Sequence, residues 1–273
     1  MRKITALWLA ALATVMLIGL QAVPQKTTAP GGPRAAAVPM REDRLVLMQR
    51  GITRQAARPL PEKMADTGDG TQLITAITKG RTNASRDGRV TWWRRLGKHW
   101  VKVGSAKARF GVNGLSDNRV EGDGTTPTGL FTLPLAFGIA PNPGTALPWK
   151  PVRSTSWWNE NSRSRKYNTW HHDCPPKVCW KSSTRSARAS EHLADYVPQY
   201  TYAVVIGFNS GRVKIRPPAR PSGSGIFLHI VGRGHTAGCI AIRRSALVSI
   251  LRWLDPAQSP HIAIGNSATI TTL

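Results

Sequence analysis

The alternation of hydrophobic and polar residues predicts β-strands over most of the chain beyond about residue 60. Residues 72–78 form a short run rich in β-branched side chains. Residues 89–96 and 100–103 flank a Gly-Lys-His turn, which is typical of a β-hairpin. Residues 200–208 and 225–231 are further strand candidates. This pattern predicts a mainly β domain.

One segment near the C-terminus has helical rather than strand periodicity. Ser245 stands where an N-cap residue is expected, and Pro256 closes the segment. Between them lies an apolar stripe at helical spacing, formed by Leu247, Ile250, Leu251 and Leu254. We therefore expect a single amphipathic helix packed against the sheet.

The N-terminal part of the chain has a different composition. Met1, Arg2 and Lys3 precede an uncharged apolar run that ends at Leu20, with small residues near Ala22. This order is typical of a secretory signal, and an uncleaved membrane anchor is the alternative. We predict a signal peptide or anchor over residues 1–22, a flexible Pro/Ala-rich tether over 23–59, and an ordered domain over 60–273.

Export changes the interpretation of the charge. The chain carries 38 Lys+Arg against 14 Asp+Glu, a formal net charge of +24. The basic residues are scattered, and no nucleic-acid-binding module accompanies them, so we predict no nucleic-acid partner. Anionic polymers of the cell wall or anionic lipid surfaces fit an exported protein better, and a solvated basic surface is the alternative.

The candidate chemistry lies near the C-terminal end. Ile226-Phe227-Leu228-His229 reads as a strand, and a glycine-rich loop leads to Thr236-Ala237-Gly238-Cys239. A thiol attacks carbonyls as thiolate and needs a base or cation beside it. A tight loop between two strands would put His229 next to Cys239, with the glycine allowing close backbone approach. The alternative is an inert pair in the core.

The other two cysteines lie close together. Cys174 and Cys179 flank a proline-containing loop, and in an oxidising compartment they are expected to form a disulfide. A metal site that adds His171 and His172 is the alternative, although the spacing matches no standard zinc pattern. Pairing these two cysteines leaves Cys239 as the odd thiol.

A polar loop lies upstream in the sequence Glu121-Gly122-Asp123-Gly124-Thr125-Thr126-Pro127. It reads as a turn that leads into a strand. The two carboxylates suggest calcium, but too few oxygen ligands follow for an EF-hand loop. A structural turn beside a binding cleft is the preferred interpretation.

Together these segments resemble the L,D-transpeptidase catalytic-domain family (YkuD-type) of bacterial cell-wall enzymes. The resemblance rests on the 121–131 loop and on the strand histidine followed by Thr236-x-Gly238-Cys239, and it extends over roughly residues 60–273. It implies a mainly β YkuD-like fold and acyl transfer on peptidoglycan stem peptides. It implies no cofactor and no metal.

The resemblance also implies roles for individual residues. Cys239 would be the nucleophile, and His229 the base. Backbone N–H groups around Gly238 and Cys239 would stabilise the oxyanion, and Thr236 would shape the loop. The sequence departs from the commonest family pattern, because the connection from His229 is shorter and Ala237, Ala241 and Ile230 replace the usual polar residues.

Several neighbours are candidates for lesser roles. His235 is a weaker candidate base than His229, because it lies so near the thiol in sequence, and it is also a candidate substrate-binding residue. Arg243, with Arg244 beside it, is a candidate ligand for a substrate carboxylate or a solvated helix start. Tryptophans at positions 157, 158, 170 and 180 would pack in the core or line a groove.

We therefore predict an exported cysteine acyltransferase, in the periplasm or cell wall, that joins third-position residues of two stem peptides through a Cys239 thioester. The same site with water as acceptor would be an L,D-carboxypeptidase or a hydrolase of wall linkages. A non-catalytic basic wall-binding module with an inert thiol is the alternative from another class.

Overall fold

A computed structural model describes residues 57–162, 164–173, 190–210 and 222–273. Over these ranges the chain forms short 3-10 turns at Leu60–Lys63, Leu193–Asp195, Gln199–Thr201 and Pro256–Gln258, and one α-helix, α1 (Arg244–Trp253). The strands are β1 (Gln72–Thr78), β2 (Asp87–Leu96), β3 (His99–Arg109), β4 (Leu115–Ser116), β5 (Thr126–Pro127), β6 (Gly129–Thr132), β7 (Ala136–Gly138), β8 (Trp149–Pro151), β9 (Ser156–Asn159), β10 (Thr169–His172), β11 (Glu191–His192), β12 (Ala203–Val205), β13 (Phe227–Ile230), β14 (Ile240–Ile242) and β15 (His261–Asn266).

Ten of these strands form one mixed sheet in the order β6-β15-β1-β2-β3-β14-β13-β12-β7-β8. The pairs β1/β15, β13/β14 and β7/β8 are parallel, and the other neighbours are antiparallel. Strands β10-β9-β11 make a small antiparallel sheet, and β4/β5 a parallel pair. The prediction of a mainly β fold with one packed helix near the C-terminus is confirmed over the described residues.

The positions of the strands were predicted more accurately than their lengths. Strand β1 has the predicted bounds, and β2 and β3 form the predicted hairpin. The candidate segments 200–208 and 225–231 contain only the short strands β12 and β13. The remainder of segment 200–208 is irregular backbone and part of the 3-10 turn Gln199–Thr201, which begins directly after Pro198.

Helix α1 packs on one face of the sheet. Its buried side chains, Ala246, Leu247, Ile250 and Leu251, join an apolar core contributed by β1, β2, β3, β13, β14 and β15. The expected N-cap at Ser245 is wrong, because the helix begins at Arg244 and Arg243 is the N-cap, without a side-chain cap hydrogen bond. The Arg243 carbonyl instead accepts the N–H groups of Ala246 and Leu247.

A second core lies on the other side of β12 and β13. It contains Phe137, Trp158, Leu193, Tyr200, Ala203, Val205, Phe227 and Cys239. The candidate nucleophile therefore belongs to this aromatic core and not to the core beneath the helix.

The predicted segments 1–22 and most of 23–59 lie outside the described residues. In the part of the chain that the structure does describe, no helix combines the length and the apolar character needed to cross a membrane.

Candidate active site

His229 and Cys239 are placed by two parallel strands. In the register of β13 and β14, Leu228 lies opposite Ile240 and His229 opposite Ala241. Cys239, one residue before β14, therefore falls opposite Phe227. Because alternate residues of a strand share a face, Phe227 and His229 point to the same side of the sheet as Cys239. The sequence predicted a tight loop between two strands without giving their relative direction. The strands are parallel, so segment 231–239 is a crossover that runs from the end of β13 back to the start of β14.

The imidazole of His229 is buried and oriented by its own backbone neighbour. Its Nδ1 lies 2.8 Å from the carbonyl oxygen of Ile230. A carbonyl only accepts, so Nδ1 carries the proton and Nε2 keeps a free lone pair. Burial lowers the pKa of His229 to about 4, against a smaller opposing effect of the Ile230 hydrogen bond. The ring is therefore neutral near pH 7, with Nε2 able to accept a proton.

The thiol of Cys239 is 8% exposed and bonded to the backbone of β13 and its approach. Its Sγ donates to the Gly225 carbonyl at 3.2 Å and accepts from the Phe227 N–H at 3.3 Å. Burial raises the pKa of the thiol far above its usual range, and the charge of Glu191 adds to this, while the Phe227 N–H and Arg119 oppose it. In this arrangement the thiol is protonated, and among the described residues no hydrogen bond joins it to His229.

Thr236 fixes the backbone around the thiol. Its Oγ1 accepts from the Gly238 N–H at 3.2 Å and donates to the Cys239 carbonyl at 2.6 Å. The same residue pairs with the end of β3, because its N–H donates to the Phe110 carbonyl at 3.1 Å. The Gly238 N–H is therefore already engaged by the threonine hydroxyl.

The polar loop between β4 and β5 packs directly against this segment. The Asp123 carboxylate accepts the N–H groups of Val120 and Thr125, each at 2.8 Å, which closes the turn. Arg119 Nη1 reaches the carbonyl oxygens of Thr125 and Ala237, the latter at 3.4 Å. Asp123 thus organises a turn beside the thiol, which is how this loop was interpreted from sequence.

Three glutamates lie around the aromatic core that holds the thiol. Tyr167 and Ser224 both donate to Glu121 Oε2, the serine at 2.6 Å. Tyr200 donates to Glu191 Oε2 at 2.7 Å. Glu160 Oε1 occupies the space where a Cβ on Gly225 would lie. The negative charges of Glu160 and Glu191 both act on Cys239.

Burial, with a smaller contribution from neighbouring charges, raises the pKa of Glu160 and Glu191. Burial raises the pKa of Glu191 to about 7, with the Tyr200 hydrogen bond opposing and the charge of Glu121 adding to it. Burial, followed by the charges of Glu191 and Glu121, raises the pKa of Glu160 well above its usual range, with Arg119 and Ser224 opposing. Part of this cluster is consequently protonated near neutral pH.

Sequence reasoning missed Arg119, Glu160, Glu191 and Tyr200 as members of this site. They come from the β4–β5 loop, the end of β9, the start of β11 and a 3-10 turn, so no short motif contains them. Arg119 lies two residues before the Glu121-Gly122-Asp123 sequence, which was the available signal.

Tyr200 forms the wall between the glutamates and the imidazole. Its ring meets the rings of His229 and Phe227 edge-on, each with centroids 5.6 Å apart. Burial raises the pKa of the Tyr200 phenol, and the neighbouring charge of Glu191 adds to this, so the phenol stays a hydrogen-bond donor.

Two other candidate residues lie elsewhere. His235 Nε2 lies 3.4 Å from Asp87 Oδ1, at the start of β2. Arg243 is exposed at the beginning of α1. Among the contacts of the described residues, neither side chain touches Cys239 or His229.

The histidine and cysteine cluster is only partly described. Cys174, Cys179 and Trp180 lie outside the described residues. His171 pairs with Thr169 at 2.9 Å and His172 with Ser156 at 3.2 Å. Within the described ranges, no group of three or more His, Cys, Asp and Glu side chains is arranged to hold a metal ion.

The three described tryptophans of the candidate groove have different environments. Trp158 is buried in the aromatic core, and its indole N–H donates to Asn168. Trp157 stacks on His192 with ring centroids 4.6 Å apart. Trp170 packs on Phe137 and lies under the ammonium of Lys150, 5.6 Å from its ring centroid.

Comparison with known families decides the assignment. The family model described as "L,D-transpeptidase catalytic domain" (YkuD) matches residues 71–262, well over half of the chain. The chain belongs to this family. The match spans β1 to the beginning of β15 and includes His229, Cys239 and the β4–β5 loop, which agrees with the resemblance found in the sequence.

Comparison with individual proteins adds little. No curated protein matches the chain. Among solved structures, Bdellovibrio bacteriovorus Bd1075 is similar, with 15% identity and a TM-score of 0.35. The alignment covers 71% of this chain and 48% of that one, so this chain spans about half the length of that protein.

Proposed function

We propose that this YkuD-family protein is an exported cysteine acyltransferase that acts on peptidoglycan stem peptides. The main support is the placement of Cys239 and a neutral, oriented His229 on one face of two paired strands. A base with Nε2 free and a thiol on the same face are the two groups that thioester chemistry requires.

In the proposed first step, Cys239 gives its proton to His229 Nε2, and Sγ attacks the carbonyl after the third, diamino-acid residue. The bond to the terminal D-alanine breaks, its amine takes the proton from His229, and the peptide remains as a thioester. An amine of a second stem peptide then attacks the thioester. It forms an amide, loses a proton and restores the thiol.

The backbone can stabilise the tetrahedral oxyanion of these steps. The Gly238 N–H donates to Thr236 Oγ1. We therefore assign stabilisation of the oxyanion to the Cys239 N–H. The Gly238 N–H contributes only if it exchanges its 3.2 Å hydrogen bond to Thr236 for one to the oxyanion. A donor of this kind contributes roughly 3–4 kcal/mol in comparable sites.

The state described here is a resting state in this proposal. Sγ donates to Gly225 and not to the imidazole, so a rotation about the Cys239 side chain must precede proton transfer. Substrate binding would supply the free energy for this rotation and for ionising a thiol that burial keeps protonated.

A second candidate function has an observation in its favour. A buried thiol with a raised pKa is what an inert, non-catalytic wall-binding module would carry. A non-catalytic module of this kind would not explain why His229 is held with its Nδ1 bonded to the Ile230 carbonyl and its Nε2 able to accept a proton. The hydrolytic variant, in which water takes the acyl group, uses the same residues and differs only in the acceptor.

We place the protein outside the cytoplasm, in the periplasm or cell wall, on the composition of residues 1–22. The net charge of +24 suits contact with anionic wall polymers and needs no nucleic acid. A disulfide between Cys174 and Cys179 fits the same compartment.

Acylation of the purified chain by a disaccharide-tetrapeptide, or by a carbapenem, tests this proposal. We expect a mass adduct on Cys239, release of D-alanine from the peptide, and neither in Cys239→Ser. Added amine acceptor should yield a cross-linked dimer, whereas free tripeptide alone would indicate the hydrolase. Folded protein with no adduct and no D-alanine would leave the wall-binding module as the better description.

A further inference from the structure

Arg119 places a buried guanidinium in the loop between β4 and β5. Of the lysine and arginine residues that the structure describes, it alone is buried, with a side chain 4% exposed. Burying an ionised group costs several kcal/mol unless close partners compensate it, so its position requires a physical reason.

The hydrogen bonds of Arg119 compensate only part of that cost. Nη1 donates to Asp123 Oδ1 at 3.3 Å and to the carbonyls of Thr125 and Ala237. Nε is buried and makes no hydrogen bond to any described residue. The Asp123 carboxylate is shared with the N–H groups of Val120 and Thr125. The guanidinium charge is therefore incompletely neutralised by its own loop.

Two glycines make room for the guanidinium. Gly238 has a φ of +148°, and a Cβ there would collide with Arg119 Nη1. Gly223 has a φ of +109°, and a Cβ there would lie 2.6 Å from Nε. Arg119 is thus packed directly against the peptide that precedes Cys239, a position that only glycine allows.

The other described side chains whose charges act on the thiol are two glutamates, which are negative when ionised. Glu160 and Glu191 disfavour ionisation of Cys239, and burial disfavours it more strongly. Arg119 is the cation whose charge acts in the opposite direction on both Cys239 and Glu160. A cation held beside a thiol favours the thiolate.

We propose that Arg119 is a positioning residue for Cys239, whose buried guanidinium stabilises the ionised sulfur and holds the Gly238 peptide in place. The inference rests on the proposed function, because it matters only if the sulfur ionises. The thiol proton passes to His229 Nε2, and Arg119 compensates the negative charge left on Sγ. No bond to Arg119 forms or breaks.

The test is the rate of thiol alkylation by iodoacetamide as a function of pH, measured on the full chain. This reagent needs only a thiolate, so the test does not depend on peptidoglycan as substrate. We expect Arg119→Met to lower the alkylation rate about tenfold at pH values below the pKa of Cys239, where the rate rises with pH. This corresponds to a displacement of the rate profile by about one pH unit. Arg119→Lys, which keeps the charge and loses the planar fork, should recover most of that loss.

Asp123→Asn is the matched control, because it alters the same turn but removes a negative charge. It should leave the rate unchanged or raise it. Thermal melts of all variants establish that the protein remains folded; if Arg119→Met does not fold, the Lys and Asn variants still separate the charges. Equal losses in Arg119→Lys and Asp123→Asn would overturn the proposal, since a purely structural turn responds to both.

Failure of this inference is distinguishable from failure of the proposed function. A chain that is alkylated in an Arg119-dependent manner but never acylated by stem peptides would retain the positioning role and lose the substrate assignment. A chain that is acylated normally in Arg119→Met would lose the positioning role alone.

Discussion

The two faces of strand β13 differ in chemistry, although the strand is only four residues long. One face is apolar, and the other carries a histidine. Leu228 and Ile230 pack into the apolar core beneath helix α1. Phe227 and His229 face the aromatic core with Cys239 and the half-buried glutamates. Because both cores pack on this one strand, the apolar core beneath the helix supports the backbone that positions the imidazole. The polar groups lie on the other side of the strand.

His229→Gln should have the largest effect on activity. The change removes the proton acceptor, so acylation by a carbapenem should fall by about 10²- to 10⁴-fold, as for other general bases. The fold should remain, because glutamine is also polar and the Leu228 side of the strand is untouched. Acylation followed by mass spectrometry measures this, and a variant with undiminished rate would refute His229 as the base.

Leu228→Ala, one residue earlier on the same strand, should have the opposite profile. Leu228 is fully buried, so the change should cost about 2–5 kcal/mol of unfolding free energy. Acylation per folded molecule should stay within a few-fold of the parent. Urea denaturation checks the first statement and active-site titration the second. Loss of acylation in fully folded protein would show that the two faces are not separable.

Glu191→Gln should make the thiol more reactive. It removes a negative charge that raises the pKa of Cys239, so iodoacetamide alkylation at pH 8 should become up to about tenfold faster. Glutamine can still accept the Tyr200 hydroxyl through its amide oxygen. A slower reaction in a variant of unchanged stability would contradict the assigned sign of this charge.

The same substitution should alter the pH dependence of stability. The pKa of Glu191 is raised to about 7 in the folded protein, above its ordinary value of 4.5. The folded state therefore holds more protons between these values, and this group's contribution to stability falls as pH rises from about 4.5 to 7. The pKa of His229 is lowered from 6.5 to about 4, so the contribution of His229 to stability rises as pH increases from about 4 to 6.5. Melting curves from pH 4.5 to 8 should show a smaller decline in Glu191→Gln than in the parent.

Thr236→Val should have the smallest effect. It removes two hydrogen bonds around the thiol, each of which contributes about 0.5–1.5 kcal/mol. Thr236→Ser keeps both bonds and serves as the control. Thermal melts with parallel acylation assays measure the difference, and equal behaviour of the two variants would show that the hydroxyl is dispensable.

The sequence predicted the elements of the fold better than it predicted the contents of the site. Periodicity identified β1, the β2–β3 hairpin and α1, because each is long enough to show its buried face. His229 and Cys239 were found because strand, glycine and thiol follow one another locally. Glu160 follows β9, and Glu191 begins β11. These two short strands meet only through tertiary pairing, which no local sequence pattern indicates.

The direction of strand β14 was also beyond the sequence. The glycine-rich connection predicts a tight loop between two strands and leaves their relative direction open, and β13 and β14 run parallel. Whether a connection turns back or crosses over is decided by the neighbouring chain, here β3, which pairs with β14, and Gly111 just after β3, which bridges to Thr236. The proximity of His229 and Cys239 could be expected from sequence, but its geometric cause could not.

That parallel pairing has an evolutionary consequence. The relative position of His229 and Cys239 is set by the hydrogen-bonded ladder between β13 and β14, and it does not depend on the number of residues that join the two strands. The tip of the crossover is held by surface contacts, such as those from Arg109 to the carbonyls of Gly232 and Gly234. Residues can therefore be gained or lost at this tip while His229 and Cys239 stay in register. Mutation can therefore reshape this loop without changing the pairing of the two strands beneath it.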